Sequence, residues 1–210
     1  MPLRTIQGLI DGFRAFRETV YPRNRALFDA LAHRGQAPKV MMIGCADSRV
    51  DPLLITGAGP GDVFVVRNVA NLVPPYNPDG RYHGTSAALE FAVRVLGVEH
   101  IIVLGHAGCG GVQALLDGSP LAGRSDDFVG AWMTIAEPAR VRAVERAPTG
   151  AERQRACEHE TVKVSLANLR TFPWIAERLA AGTLTLHGWY FDLDGARLMR
   201  LDESGAFADV

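Results

Sequence analysis

Residues 39–50 read KVMMIGCADSRV. An almost unbroken apolar run, Lys39 to Gly44, gives way to a thiol, a carboxylate and a guanidinium at alternate positions: Cys45, Asp47 and Arg49. A short apolar run without alternation is the pattern of a strand covered on both faces, as in a parallel sheet. Two further runs share it, DVFVVRN at 62–68 and HIIVLG at 100–105. Between them lies TSAALEFAVRVLG, 85–97, whose Ala88, Phe91, Ala92 and Val95 form a helical stripe and whose Gly97 suits a C-cap. Strand, helix, strand in this order predicts a parallel crossover, normally right-handed.

Upstream, Ile6, Ile10, Phe13, Phe16 and Val20 fall near helical spacing, and Pro22 can open a second helix through Arg34, ended by Gly35. This segment, 1–35, reads either as an arm that packs on a partner subunit or as a cover for its own sheet. Downstream, a helical region is expected over roughly 125–170, and a helix from Pro173 closed by Gly182. TLTLHGWYFDLDGARLMRL then reads as strands that turn at Asp194-Gly195. The expected fold class is α/β: a central, mostly parallel β-sheet flanked by helices, with an N-terminal helical arm and a C-terminal antiparallel hairpin, in one domain over 1–210.

The 210 residues suffice for one core without disulfide staples. A formal net charge of -1 and the absence of like-charge blocks argue against a nucleic-acid or anionic-membrane partner. No apolar run is long enough to span a bilayer, and the first residues lack the features of a secretory signal. Three widely spaced cysteines argue against a disulfide framework and for thiols kept reduced in a cytoplasm.

In an open parallel sheet, ligands bind beyond the carboxyl ends of the strands. CADSR follows the first strand and GHAGCGG, 105–111, follows the third, so both loops are expected on one rim. If they are neighbours, Cys45, His106, Cys109 and Asp47 converge into a tetrahedral set suited to Zn2+. Three other signals are weaker. GAGPGD, 57–62, lacks the Lys-Ser/Thr of a phosphate loop and precedes a strand, so it reads as a turn. Cys157, Glu158 and His159 lie on a predicted helix at positions that face different ways, which suits core or solvated roles. Among the isolated histidines, His83 is the best candidate for a proton shuttle.

CADSRV followed by GHAGCGG resembles the β-class carbonic anhydrases, whose signatures are C-x-D-x-R and H-x-x-C. FVVRNVANLVPPY, GTSAALEFAV and NLRTFPWIAERLAAGTLTLHGWYFD extend the likeness over nearly the whole chain. The resemblance implies reversible hydration of CO2 to bicarbonate and a proton, with Zn2+ bound by Cys45, His106 and Cys109 and a zinc-held hydroxide as the attacking group. It implies that Asp47 either takes the fourth metal position or, released, pairs with Arg49 and orients that hydroxide. Asp47 and Arg49 are thus the implied catalytic residues.

Gln36 and Phe64 coincide with residues that line the substrate pocket in plant-type members; a tyrosine of those members falls at Phe91. In one bacterial branch a tryptophan, an arginine and a tyrosine bind a regulatory bicarbonate. They fall at Met42, Arg67 and Phe191, where only the arginine is retained, so no such bicarbonate site is expected and the Asp47–Arg49 pairing is favoured. The implied partners are CO2 or bicarbonate and further copies of the chain, as a dimer or tetramer. Two thiolates make zinc a weaker Lewis acid, so activity is expected to rise with pH through the alkaline range. Two rival readings remain: a zinc hydrolase of the same fold acting on CS2 or COS, and a non-catalytic, zinc-stabilised binding protein with no need of Asp47 or Arg49.

Overall fold

The computed structural model describes residues 5–118, 128–147 and 150–210. The chain divides into two compact units, Met1–Ala37 and Pro38–Val210. The first holds helices α1 (Ile6–Ala15) and α2 (Arg25–Arg34), joined by a π-helical turn, Phe16–Val20, and a 3-10 turn, Pro22–Asn24. Thr5 caps α1, its Oγ1 accepting the Gly8 N–H at 3.0 Å. Phe28 of α2 meets Phe16 edge-on at 5.9 Å and Tyr21 at 5.3 Å, so aromatic packing joins the two helices. Ile6, Leu9, Ile10 and Phe13 of α1 are exposed in the single chain.

The second unit is built on six strands: β1 (Val40–Cys45), β2 (Val63–Asn68), β3 (His100–His106), β4 (Thr185–Asp192), β5 (Arg197–Leu201) and β6 (Phe207–Asp209). They form one sheet in the order β2-β1-β3-β4-β5-β6. The first four are mutually parallel; β5 and β6 are added antiparallel. The described helices of this unit are α3 (Pro52–Thr56), α4 (Gly84–Glu90, continued as a π-helix over Phe91–Leu96), α5 (Gly110–Leu116), α6 (Phe128–Met133), α7 (Glu137–Arg146), α8 (Gly150–Leu169) and α9 (Pro173–Ala180).

The continuous apolar runs resolve into two faces because successive side chains of a strand point to opposite sides. Met41, Ile43, Ile101 and Val103 face Leu89, Ala92, Val93, Leu169, Phe172 and Ile175, from α4, α8, α9 and their surroundings. Met42, Ile102 and Leu104 face the other way, with Val50 and the partly buried Trp189, Phe191 and Leu198. A third cluster, including Ala70, Leu72, Val112, Met133, Ala136 and Ala139, packs around Cys45 and Cys109 at the carboxyl rim.

Three local features depart from the sequence expectation. The helical stretch is broken into α6, a 3-10 turn at Thr134–Ala136, α7 and α8, and 125–127 lie outside the described residues. The β4–β5 turn takes its left-handed residue at Ala196, φ 49°, rather than at Gly195. Gly195 instead leaves room for Arg197, whose Nε would stand 3.0 Å from a Cβ there while its Nη2 donates to Asp192 Oδ2 at 2.7 Å. The short β6 has only Phe207 half-buried, too little for its periodicity to be read.

Candidate metal centre

β1 and β3 are adjacent, parallel and in register, so their carboxyl ends bring the CADSRV and GHAGCGG loops to one rim. Cys45 is the last residue of β1, His106 the last of β3, and Cys109 the N-cap of α5. The two sulfurs stand 4.0 Å apart. With a ring nitrogen of His106 they form a buried group whose atoms all lie within 4.8 Å of one another. Two Zn–S bonds at a tetrahedral ion would place the sulfurs ~3.8 Å apart. The imidazole is set for the same purpose. His106 Nδ1 lies 2.9 Å from the carbonyl of Ala107, to which its N–H donates. That leaves the Nε2 lone pair buried and without a hydrogen-bond partner among the described residues. A buried acceptor left empty is costly. An orphaned nitrogen beside two buried sulfurs therefore fits a borderline-soft divalent cation.

The surroundings make one sulfur anionic. A hydrogen bond from the Cys109 thiol, assisted by the backbone N–H groups of Asp47 and Ala70, pulls Cys45 toward the thiolate against the opposing effect of burial. The same sulfur–sulfur hydrogen bond and burial keep Cys109 protonated. Ala70 can contribute because it and Asn71 both adopt left-handed backbone, φ 62° and 48°. Each such residue costs about 1–2 kcal/mol relative to ordinary backbone. The bend is braced by Asn68, whose side chain accepts the Leu72 N–H at 2.9 Å and donates to its carbonyl at 2.8 Å.

Beside the cluster, Asp47 is locked to Arg49. Its Oδ1 accepts the Arg49 backbone N–H at 3.0 Å and Nε at 2.9 Å, and its Oδ2 accepts Nη2 at 2.6 Å. This guanidinium holds the Asp47 carboxyl well below the usual carboxylate range. Asp47 Oδ2 lies 3.9 Å from His106 Nε2, close enough to face whatever that nitrogen binds. Arg49 Nη2 also donates to the carbonyl of Gly108 at 2.8 Å, tying the first loop to the second.

Sequence reasoning undervalued two supports. Arg67, near the carboxyl end of apolar β2, donates to the carbonyls of Cys45 at 2.9 Å, Asp47 at 2.7 Å and Val50 at 2.8 Å, and so clamps the CADSRV loop. A charge inside the run VFVVRN was the available signal, since a charge held in a sheet needs partners. Glu158 of α8 is buried; it accepts the Cys109 N–H at 2.9 Å and Gln154 Nε2 at 2.7 Å, and Tyr190 Oη donates to it at 2.7 Å. Cys157 beside it is fully buried core, whereas Glu158 supports the site.

Of the other predicted residues, Phe64 sits near the start of β2 opposite Met41, at the far end of that strand from Asn68, which pairs with Cys45. Its ring packs on Phe91 at 5.9 Å. Gln36 is exposed and belongs to the first unit. His83 Nε2 pairs with Asp79 Oδ1 at 2.6 Å and lines a cavity with Asn68, Val69 and Trp132.

Fold and site together define an α/β protein with a metal-ready Cys-His-Cys cluster at the carboxyl rim of a parallel sheet and an ionised aspartate beside it. The family model described as "Carbonic anhydrase" matches residues 40–198. The carbonic anhydrase of Pseudomonas aeruginosa is 42% identical over 204 residues, 94% of this chain and 88% of that protein. The β-carbonic anhydrase CcaA superposes with a TM-score of 0.90 at 35% identity, covering 98% of this chain and 92% of that one. A tetrameric β-carbonic anhydrase of Sordaria macrospora superposes with a TM-score of 0.80 at 32% identity, covering 95% and 96%. The chain belongs to the β-class carbonic anhydrases.

Proposed function

We propose that this protein reversibly hydrates CO2 to bicarbonate and a proton, with Zn2+ held by Cys45, His106 and Cys109. The observation that supports this above all is the meeting of two buried sulfurs with an unpartnered His106 Nε2. When bound, zinc would supply a Lewis acid that lowers the pKa of water, less strongly with two sulfur ligands, and so provides a nucleophile toward the alkaline range. The chain's own part is positional. Asp47, fixed by Arg49, presents an ionised acceptor 3.9 Å from His106 Nε2 and would orient an attacking oxygen there by taking its hydrogen bond. Arg49 holds that carboxylate in an ion pair that would compete with its ligating a metal and, through Gly108, ties the two loops together. Gln36 and Phe64 are proposed to line the path of CO2.

The apolar stripe exposed on α1 and the tetrameric relative support self-association, with residues 1–35 as an arm on a second copy of a single catalytic domain. No helix among the described residues is long and apolar enough to cross a membrane. A cytoplasmic setting is proposed from the three free thiols.

The deciding experiment pairs metal analysis with stopped-flow CO2 hydration. Asp47→Ala is expected to keep its zinc and lose about 10²–10⁴-fold in kcat, the range for loss of a positioned proton acceptor. Cys45→Ser and His106→Ala are expected to lose the metal; full occupancy in either would overturn the ligand set. Turnover of CS2 with none of CO2 would replace the substrate, and no turnover of either would leave a binding protein.

A further inference from the structure

The three proposed metal ligands are not held in the same way. Cys45 and His106 are strand residues: Cys45 pairs with Asn68 of β2, and His106 with Phe191 of β4. Cys109 lies outside the sheet, beyond a turn at Ala107–Gly108 in which Gly108 has φ 66°. No strand ladder fixes it. Its backbone is gripped from α8 instead. The Cys109 N–H donates to Glu158 Oε1 at 2.9 Å. Its carbonyl accepts Gln154 Nε2 at 3.1 Å, beside the helical bond from the Gln113 N–H at 2.9 Å. Gln154 Nε2 also donates to Glu158 Oε1 at 2.7 Å, so two side chains one helical turn apart close around the Cys109 backbone. The second carboxyl oxygen, Oε2, accepts Tyr190 Oη of β4 at 2.7 Å, which braces Glu158 against the sheet.

All three hydrogen bonds of Glu158 come from neutral groups, and among the described residues it forms no ion pair, although it is only 3% exposed. Glu160, on the same helix and also 3% exposed, is answered by Arg142, Arg146 and Lys163. A buried acid without a cation is costly, and packing alone would be met more cheaply by an apolar side chain of similar volume. What an apolar side chain could not do is receive the Cys109 N–H. The peptide planes on either side of a Cα set the direction in which its side chain leaves the backbone. Gripping both the N–H and the carbonyl of Cys109 therefore aims its Sγ, which stands 4.0 Å from that of Cys45. None of these bonds reaches Asp47 or Arg49.

We propose that Glu158 and Gln154 are positioning residues for Cys109 that set how firmly the metal is retained, with turnover left to the Asp47–Arg49 side. The inference rests on the zinc reading above.

The test measures zinc affinity of the holoenzyme and its variants by competition with a chromophoric chelator. Glu158→Leu keeps the volume and removes the acceptor; it is expected to weaken zinc binding about 10–100-fold, the range for loss of a partner behind a ligand. Glu158→Gln keeps an oxygen for the Cys109 N–H and is expected to recover most of that loss. Glu160→Gln, whose partners touch no proposed ligand, is expected to bind zinc like the parent, whatever it does to the melting temperature. In the Co2+-substituted protein, the thiolate-to-metal absorption is expected to shift in Glu158→Leu and to superpose on the parent in Glu160→Gln. Saturated with zinc, Glu158→Leu is expected to lose far less in kcat than in affinity. If it does not fold, Gln154→Ala, at a half-buried position, is expected to weaken zinc binding in the same direction by a smaller factor. Parental affinity and an unshifted cobalt spectrum in these variants, or an equal loss in Glu160→Gln, would overturn the proposal. A parent that binds no zinc through Cys45, His106 and Cys109 would overturn the zinc reading itself, so the two failures are distinct.

Discussion

Arg67 shows how much of a site can rest on one side chain that touches no reactant. Its guanidinium binds three carbonyls along the CADSRV loop, and Asp47 is aimed only as well as that loop is held. Arg67→Met should therefore keep the metal proposed for Cys45, His106 and Cys109, which close β1 and β3 and cap α5, and yet lose about 10–100-fold in kcat, as expected when a reacting group is misplaced by an ångström. Arg67→Lys should recover only part, because an ammonium cannot span three carbonyls in the fixed geometry of a guanidinium. Metal content beside stopped-flow rates separates this from unfolding. Asp47 carries a second expectation. Its lowered pKa keeps it ionised across the neutral and alkaline range. Its ion pair is a stabilising contribution present above the ordinary carboxylate pKa and lost only in strong acid, as pH falls through the depressed folded value. Asp47→Asn should therefore reduce hydration across the whole profile without moving its inflection. A shifted inflection would mean that Asp47 itself titrates there.

At the scale of elements, the site depends on how closely α8 approaches β3. A Cβ added at Gly105 would lie 2.6 Å from Val162 Cγ2 and 3.6 Å from the Tyr190 ring. Gly105→Ala should destabilise by about 1–3 kcal/mol, the usual range for overpacking, and a thermal melt of the double variant with Val162→Ala should recover part of that loss. The same packing separates the legible from the hidden. The strands announced themselves because β1 and β3 are covered on both faces, and Cys45 and His106 because they close those strands, with Cys109 one short loop further on. Glu158 could not be read that way. It lies 49 residues beyond Cys109, on a helix whose mean periodicity does not single it out, and only the packing of α8 on the rim brings it to the Cys109 N–H. Arg49 was recognised as the partner of Asp47, but its second bond, to Gly108 across the rim, depends on a loop conformation that residue types alone do not specify.

For the molecule as a whole, acid sensitivity should trace to a histidine outside the site. His159 packs against the rings of Tyr190 at 4.4 Å and Phe207 at 4.3 Å. Burial, with repulsion from Lys163 and Arg155, pushes its pKa down to about 4. Below an unfolded value of about 6.5, the unfolded chain takes up a proton that the native chain refuses. This contribution is therefore present above that pH and fades as pH falls from about 6.5 to about 4, by roughly 1–3 kcal/mol after allowing for partial exposure. Melting temperature should decline over this window, and His159→Leu should flatten the decline.

Cys45 and Cys109 stand 64 residues apart and are joined only where β1 and β3 lie side by side. An unfolded ribbon offers His106 and Cys109 as a local pair but leaves Cys45 far away, so the complete donor set exists only once the sheet has formed. An ion that recognises only the finished architecture stabilises it by mass action, so scavenging it with a chelator should lower the melting temperature of the protein while leaving its β-sheet spectrum at room temperature intact.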